Sequence, residues 1–309
     1  MSGARESKRT GGPGPAGEPP SVAEAPRSPA PLSPGLYLVA TPIGNAADIT
    51  LRALDVLTRA DVIAAEDTRQ TRKLMEIHGV ALAGRPLVSY HDQNGAARRP
   101  QIEAWLREGK SVAYCSDAGT PLVADPGFRL AQAAVAAGSA LTAVPGASAA
   151  LAGLSVSGLP SDRFLFAGFL PPKSAARRAA LAELSPVPAT LIFYESPRRL
   201  GDALADMAAV LGDRPAAVAR ELTKRFEEVR RGSLAALAEA YGAEPPPKGE
   251  VVVLTGPPLA RAPDAADLDQ ALAAALTDLS TKDAAREVAE LLGLPRREVY
   301  ARALALARK

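Results

Sequence analysis

The sequence predicts a two-domain α/β protein with a mainly parallel N-terminal sheet, a mixed second sheet and a small C-terminal helical extension. Three observations carry this. Short apolar strands alternate with helical stretches from residue 35 onward. Polar, Gly and Pro residues gather just after those strands. Beyond residue 150 strand candidates multiply while helices thin out, as in a mixed sheet.

Residues 1–34, rich in Pro, Gly, Ala and Ser, contain no apolar stretch of the kind a secretory signal needs. Such a composition buries too little surface to offset its ordering entropy, so a disordered tail is expected. Order begins at "GLYLVATPIGN" (35–45), a strand broken by a Pro-Ile-Gly-Asn turn. "DITLRALDVLTRA" (48–60) has apolar residues at helical spacing, with Asp48 or Thr50 as its cap. "DVIAAEDT" (61–68) is a strand ending in two acids, "TRKLMEIHGV" a helix closing near Gly79, and "PLVSYHDQN" a strand ending in polar groups. "QIEAWLREG" is helical, "SVAYC" a strand, "PGFRLAQAAVAAG" a helix and "ALTAVPGAS" a strand ending in a glycine turn. These units make an expected first domain over 35–149.

The expected second domain, 150–258, offers strands at "RFLFAGFL", "ATLIFYES", "AAVAREL", "FEEVRRGS" and "GEVVVLTG", with a helix "RRLGDALADMAAVLG" among them. The remainder, 259–309, opens with a Pro-rich linker and continues as two or three helices. Within it, "STKDAAREVAELLGLPRREVYARAL" has the rhythm of a helix-turn-helix, a plain helical hairpin being the alternative.

At 309 residues, 47% hydrophobic, the chain has material for two cores. Lys+Arg number 36 against Asp+Glu 34, so overall charge selects no partner. The lone cysteine, Cys115, excludes a disulfide framework and a cysteine-based zinc site, which fits a cytoplasmic setting. No apolar run approaches the ~18 residues that span a bilayer.

Five strand ends carry turn and hydrogen-bonding chemistry: "TPIGN", "EDT", "HDQN", "SDAGTP" and "VPGAS". In open α/β sheets ligands bind beyond such carboxyl ends, so one shared crevice is expected. "TPIGN" is neither GxGxxG nor a phosphate loop, and taken alone is an ordinary turn. Glu66 and Asp67 are a paired carboxylate or a helix cap. His78 and His91 lack metal-ligand spacing, so no metal is expected. "SDAGTPLVADPG" is harder to dismiss, because its glycines and prolines enforce a fixed path that leaves backbone groups to a ligand. Basic runs, "KSAARR", "SPRR", "RELTKR" and "VRR", crowd the second domain and suggest a phosphate-facing surface, with Phe164, Phe166, Phe169, Phe193 and Tyr194 available for base stacking.

"LYLVATPIGN…AEDTRQTRKLM", "SDAGTPLVADPG", "GLPSDRFLFAGFLPPKSAARR", "LIFYESPRRL", "ARELTKRFEEVRRG" and "KGEVVVL" together resemble the ribosomal RNA small-subunit methyltransferase I family, of tetrapyrrole-methylase-like fold. The resemblance runs from about residue 35 to 256 and extends to the C-terminal helices. It implies 2′-O-methylation of a cytidine ribose in the decoding region of 16S rRNA, with S-adenosylmethionine as methyl donor, by a homodimer whose two α/β domains enclose the cofactor.

Carried over by residue, it implies Pro42 and Gly44 beneath the cofactor and Asp117, Ala118, Gly119 and Thr120 around its methionine part. Gly146 and Ser148 follow from "VPGAS", and Ala167 and Gly168 from "FAGFL" at the adenosine end. Ala147 departs from the proline many members have there. Glu66, Asp67, His91, Glu195 and Lys224 are candidates for taking the hydroxyl proton, with Glu66 and Lys224 inside the family-like stretches. Arg69, Lys173, Arg177, Arg178, Arg198 and Arg199 are candidates for RNA phosphate. A tetrapyrrole or other small-molecule methyltransferase is the enzymatic alternative, and a ribosome-assembly RNA-binding module the non-enzymatic one.

Overall fold

The computed structural model describes residues 30–123, 127–259 and 265–307, so Asp125 and Pro126 of the constrained loop and most of the N-terminal tail lie outside the described residues. The chain forms two compact units. The first runs to Ala149 and takes back Leu222–Arg225; the second comprises Ala150–Glu221 and the chain from Phe226 on.

The first unit alternates β1 (Gly35–Val39), α1 (Leu51–Arg59), β2 (Val62–Ala65), α2 (Thr68–Ile77), β3 (Leu87–Ser89), α3 (Gly95–Arg107), β4 (Ser111–Cys115), α4 (Phe128–Ala136) and β5 (Leu141–Val144). Its strands lie in the order β3-β2-β4-β1-β5 and pair only in parallel. Side chains alternate across the sheet with period two. Tyr37, Val39, Ile63, Ala113 and Cys115 pack with α1 and α2 through Val56, Leu57 and Met75. Leu36, Val62, Ala64, Val112 and Tyr114 pack with α3 and α4 through Ile102, Leu106 and Leu130. The chain therefore moves one way along the sheet from β1 to β3 and the other way from β3 to β5. The reversal opens between the neighbours β1 and β4, the place where open α/β sheets hold ligands.

Local chemistry sets the helix starts. Thr50, not Asp48, caps α1 by accepting from Ala53 N at 3.1 Å. Asp67 caps α2 by accepting from Arg69 N at 2.8 Å. α3 begins well before "QIEAWLREG" and carries Pro100 inside it, a residue that argues for a helix boundary when read alone. Two residues assigned to the tail are also engaged: Leu32 packs on the first core, and the Ser33 carbonyl accepts from Tyr37 Oη at 2.9 Å.

The second unit contains α5 (Ala149–Ser157), β6 (Phe164–Phe169), α6 (Ser174–Leu184), β7 (Thr190–Glu195), α7 (Leu200–Leu211), β8 (Pro215–Arg220), β9 (Glu228–Ser233), α8 (Leu234–Ala243) and β10 (Val251–Thr255). Its sheet, β6-β7-β10-β8-β9, is mixed: β6 and β7 are parallel, and the other pairs are antiparallel. Three further helices, α9 (Ala265–Ala275), α10 (Thr281–Leu292) and α11 (Arg296–Leu306), close over a core of their own that includes Leu272, Val288 and Val299. Ser280 caps α10, and Gly293, at φ +64°, ends it. Among the described residues no helix is long and apolar enough to cross a membrane.

Candidate functional site

The loops after β1, β4 and β5 are tied to one another by their own backbone. Thr41 and Gly119 exchange both amide–carbonyl bonds at 3.0 Å. Thr41 Oγ donates to the Ser116 carbonyl at 3.1 Å, and Ser116 Oγ donates to the Gly119 carbonyl at 2.9 Å. Thr120 Oγ donates to the Ala147 carbonyl at 3.0 Å, and Ala40 N bonds the Val144 carbonyl. Approach is close: a β-carbon on Gly146 would lie 2.9 Å from Ala40 Cβ, and Gly119 sits at φ +78°. The expected cofactor residues Pro42, Gly44, Asp117, Ala118, Gly119, Thr120, Gly146 and Ser148 all lie on these three loops. Thr120 ties its loop to the next through its hydroxyl, a bracing role that its place in "SDAGTP" does not reveal.

The acids at the end of β2 join the same edge. Glu66 Oε2 accepts from Asp117 N at 3.2 Å, while Asp117 Oδ1 accepts from Asp67 N at 2.7 Å. This reciprocal pair locks the β2 and β4 ends together. Asp67 also holds the Arg69 guanidinium, at 2.7 Å through Oδ2, and those contacts pull its carboxyl down to about 2. Asp67 thus serves as the cap of α2, and its lowered pKa makes it a weaker base than an ordinary carboxylate. Arg69 is extensively exposed but bound to that cap.

A fourth segment, which carries the candidate Lys224, joins these loops through a backbone path that its residue types do not signal. The chain leaves β8 at Arg220, and both Glu221 (φ +50°) and Thr223 (φ +66°) adopt left-handed backbone, unusual for any side chain and an outlier for a β-branched one. Thr223 Oγ accepts from Asn45 N at 3.1 Å, and Lys224 lies over Gly44. Lys224 is thereby placed on the "TPIGN" loop, while Glu66 sits at the neighbouring β2 end.

The second unit carries the remaining candidates. Ala167 and Gly168 occupy a bulge in β6, where the register to β7 slips after Phe166 and Gly168 takes φ +67°. Of the residues expected to meet phosphate, Lys173, Arg178 and Arg198 are exposed. Arg177 does not fit that role. Its side chain is 4% exposed and pairs with Asp206 at 2.7 Å, donating also to the Pro172 carbonyl. Ser174, Arg177 and Leu181 share one face of α6, and that face is turned inward onto α7. Arg199 is engaged too: it pairs at 2.6 Å with the buried Glu195 carboxylate, which also accepts from Ser196 N. The basic runs after β8 are partly consumed by internal pairing. Arg220 and Arg230 bracket Glu228, Arg230 reaches Glu244, and Arg231 donates to the Ser157 carbonyl.

His78 caps the end of α2 and its ring contacts the Ala46 carbonyl at 2.9 Å; His91 turns the chain into α3. Burial pushes the Cys115 thiol up to about 12, which leaves it unreactive. Among the described residues no group of three or more His, Cys, Asp or Glu could hold a metal ion.

Residues 35–238 match the family model described as tetrapyrrole (corrin/porphyrin) methylases, and residues 262–307 match the RsmI C-terminal HTH domain. The chain is 51% identical over 277 residues to ribosomal RNA small subunit methyltransferase I of Mesorhizobium japonicum, covering 89% of this chain and 93% of the relative. It is 44% identical to the protein of that name from Escherichia coli O157:H7, covering 87% and 94%. Among solved structures, a cobalt precorrin-4 methyltransferase is 18% identical with a TM-score of 0.54, covering 72% of this chain and 94% of its own. A uroporphyrin-III-C-methyltransferase from Thermus thermophilus is 26% identical with a TM-score of 0.51, covering 72% and 93%.

Proposed function

Because the chain belongs to the ribosomal RNA small subunit methyltransferase I family, within the tetrapyrrole methylases, we propose that it methylates the ribose 2′-hydroxyl of a cytidine in the decoding region of 16S rRNA, with S-adenosylmethionine as donor. The observation that carries the cofactor part is the β1–β4–β5 loop platform at the reversal of strand order. Its three loops are pinned to one another by backbone amides, carbonyls and hydroxyls, and they pack too closely at Gly146 for any side chain. A fixed platform of small residues without a phosphate-binding glycine motif suits a ligand that carries no phosphates. Pro42, Gly44, Asp117, Ala118, Gly119, Thr120, Gly146 and Ser148 hold it in this reading, with Ala167 and Gly168 receiving the adenosine end.

S-adenosylmethionine supplies an electrophilic methyl on sulfur. The chain's contribution is then mainly placement, which contributes about 7–11 kcal/mol when the acceptor oxygen is held in line. A ribose hydroxyl is a weak nucleophile, and taking its proton in the transition state adds about 10²–10⁴-fold. Glu66, held by the Asp117 amide, is the residue assigned to that proton, and Lys224 on the "TPIGN" loop orients the ribose. Lys173, Arg178 and Arg198 meet phosphate. A cytoplasmic homodimer belongs to the same reading.

A small-molecule methylase of the same fold needs no exposed cations beyond its loops, and a relic RNA-binding module would not keep three strand-end loops bonded to one another. Mass spectrometry of ribose methylation on small-subunit RNA, from cells with and without the protein, tests the reading. One 2′-O-methylcytidine missing in its absence is expected; unaltered nucleotides overturn it.

A further inference from the structure

The carboxyl end of β6 exposes an aromatic side chain, and the segments that follow β6 and β7 carry exposed cations. β6 is an edge strand, and its last residue, Phe169, stays 59% exposed while the next, Leu170, is buried in the core. Phe169 is not loose. It stands in register with Tyr194 of β7, ring centroids 5.6 Å apart at 67°, and Tyr194 in turn meets Phe166 at 4.8 Å. One edge of the ring is thus buttressed while much of its surface remains open to solvent.

Because β6 and β7 are parallel, the chain segments that follow them leave from the same edge of the sheet. One reaches Lys173 at the start of α6, with Arg178 one turn further; the other reaches Arg198. All three are exposed, and Arg178 is held only loosely, 3.7 Å from Asp206. An open, braced aromatic ring on a sheet edge whose following segments carry exposed cations suits unpaired nucleic acid: such a ring stacks a base and the cations track the backbone.

We propose that Phe169, braced by Tyr194, stacks one unpaired base of the substrate RNA while Lys173, Arg178 and Arg198 take the flanking phosphates. The subsite rests on the RNA substrate inferred above and adds a base contact to it. Stacking is indifferent to base identity, so this subsite grips a single strand without choosing the methylated nucleotide.

The test uses the full chain and a single-stranded RNA oligonucleotide of the decoding-region sequence, with the same sequence in a duplex as control. Phe169→Ala is expected to weaken single-strand binding about 5- to 150-fold, the range of one lost base stack, with no change in salt slope or in S-adenosylmethionine affinity. Phe169→Trp is expected to restore binding and to show fluorescence quenched on adding RNA, beyond the response of Trp105 in the wild type. Arg198→Ala is expected to lower the salt slope by about 1. Single-strand binding by Phe169→Ala equal to wild type, or an unquenched Phe169→Trp, overturns the subsite alone. So does a parallel loss of S-adenosylmethionine affinity, which assigns the ring to the methyl donor. A wild-type chain that binds neither RNA overturns the substrate reading and the subsite with it.

Discussion

Lys224 lies directly across Gly44: a β-carbon on Gly44 would come within 2.4 Å of Lys224 Cγ and 2.9 Å of Thr223 Oγ. The segment after β8 thus packs flush on the first loop of the sheet, and the fit is pinned by the Thr223–Asn45 bond. Gly44→Ala is expected to push the two apart and weaken S-adenosylmethionine binding at least tenfold by calorimetry. Lys224→Ala in the Gly44→Ala background should recover much of that loss, because the clash is with the lysine stem. Equal affinity of wild type and Gly44→Ala would show the approach to be compliant.

The backbone at residue 223 gives a second, independent handle. Thr223→Gly removes the left-handed strain but also the hydroxyl, whereas Thr223→Asn tolerates the same φ and keeps a polar side chain. Thr223→Val keeps the strain and loses the acceptor, so it is expected to lower the melting temperature and raise KM for the donor more than Thr223→Asn. Identical behaviour of the two would remove the Asn45 bond from the account.

Arg177 and Arg178, adjacent in "KSAARR", part ways. Arg177→Ala leaves the Asp206 carboxylate with reduced compensation in a buried place and is expected to cost about 3–5 kcal/mol in denaturant unfolding. Arg178→Ala, at an exposed ion pair, is expected to cost less than about 1 kcal/mol and to act on RNA binding instead.

A similar split separates Arg198 from Arg199. Arg199→Ala strips the partner from Glu195, whose Oε2 is already buried without a hydrogen bond, so a loss of about 1–3 kcal/mol is expected. Arg199→Ala paired with Glu195→Gln should regain stability. Arg198→Ala should leave thermal stability unchanged.

Cys115 sits fully enclosed in β4 with its thiol pushed up to about 12 by burial. A native-state value above the unfolded one means that its neutral form favours folding below the unfolded pKa of about 9, and that this contribution drains away as pH climbs from there to about 12. At pH 8 a thiol-reactive disulfide is expected to label the chain only after denaturant is added. Rapid labelling of folded protein would contradict the burial.

The sheet of the first unit was legible because its signals are local. Each strand is a short apolar run, and each carboxyl end is punctuated by Gly, Pro or paired acids, so a shared crevice at the strand ends followed from the residues, while the cofactor residues on its loops came from the family resemblance. Arg177 was misjudged for a reason also visible in the sequence: three and four residues separate it from Ser174 and Leu181, which puts it on the inward stripe of α6. The left turn at Glu221 and Thr223 had no such signal, because neither residue favours that backbone and only long-range packing imposes it. The helix expected over "QIEAWLREG" was too short at its start, since α3 runs from Gly95 and accepts Pro100 without ending.

The first unit is not completed by its own stretch of chain. Its last strand ends at Val144, yet the piece that packs on Gly44 and Asn45 is translated almost eighty residues later, after three further strands and three α-helices. During synthesis the "TPIGN" loop therefore waits, uncovered, for Leu222–Arg225. A nascent chain paused between these points has a finished sheet and an unfinished floor, so competence to grip the methyl donor is conferred late, when the ribosome has moved past residue 225.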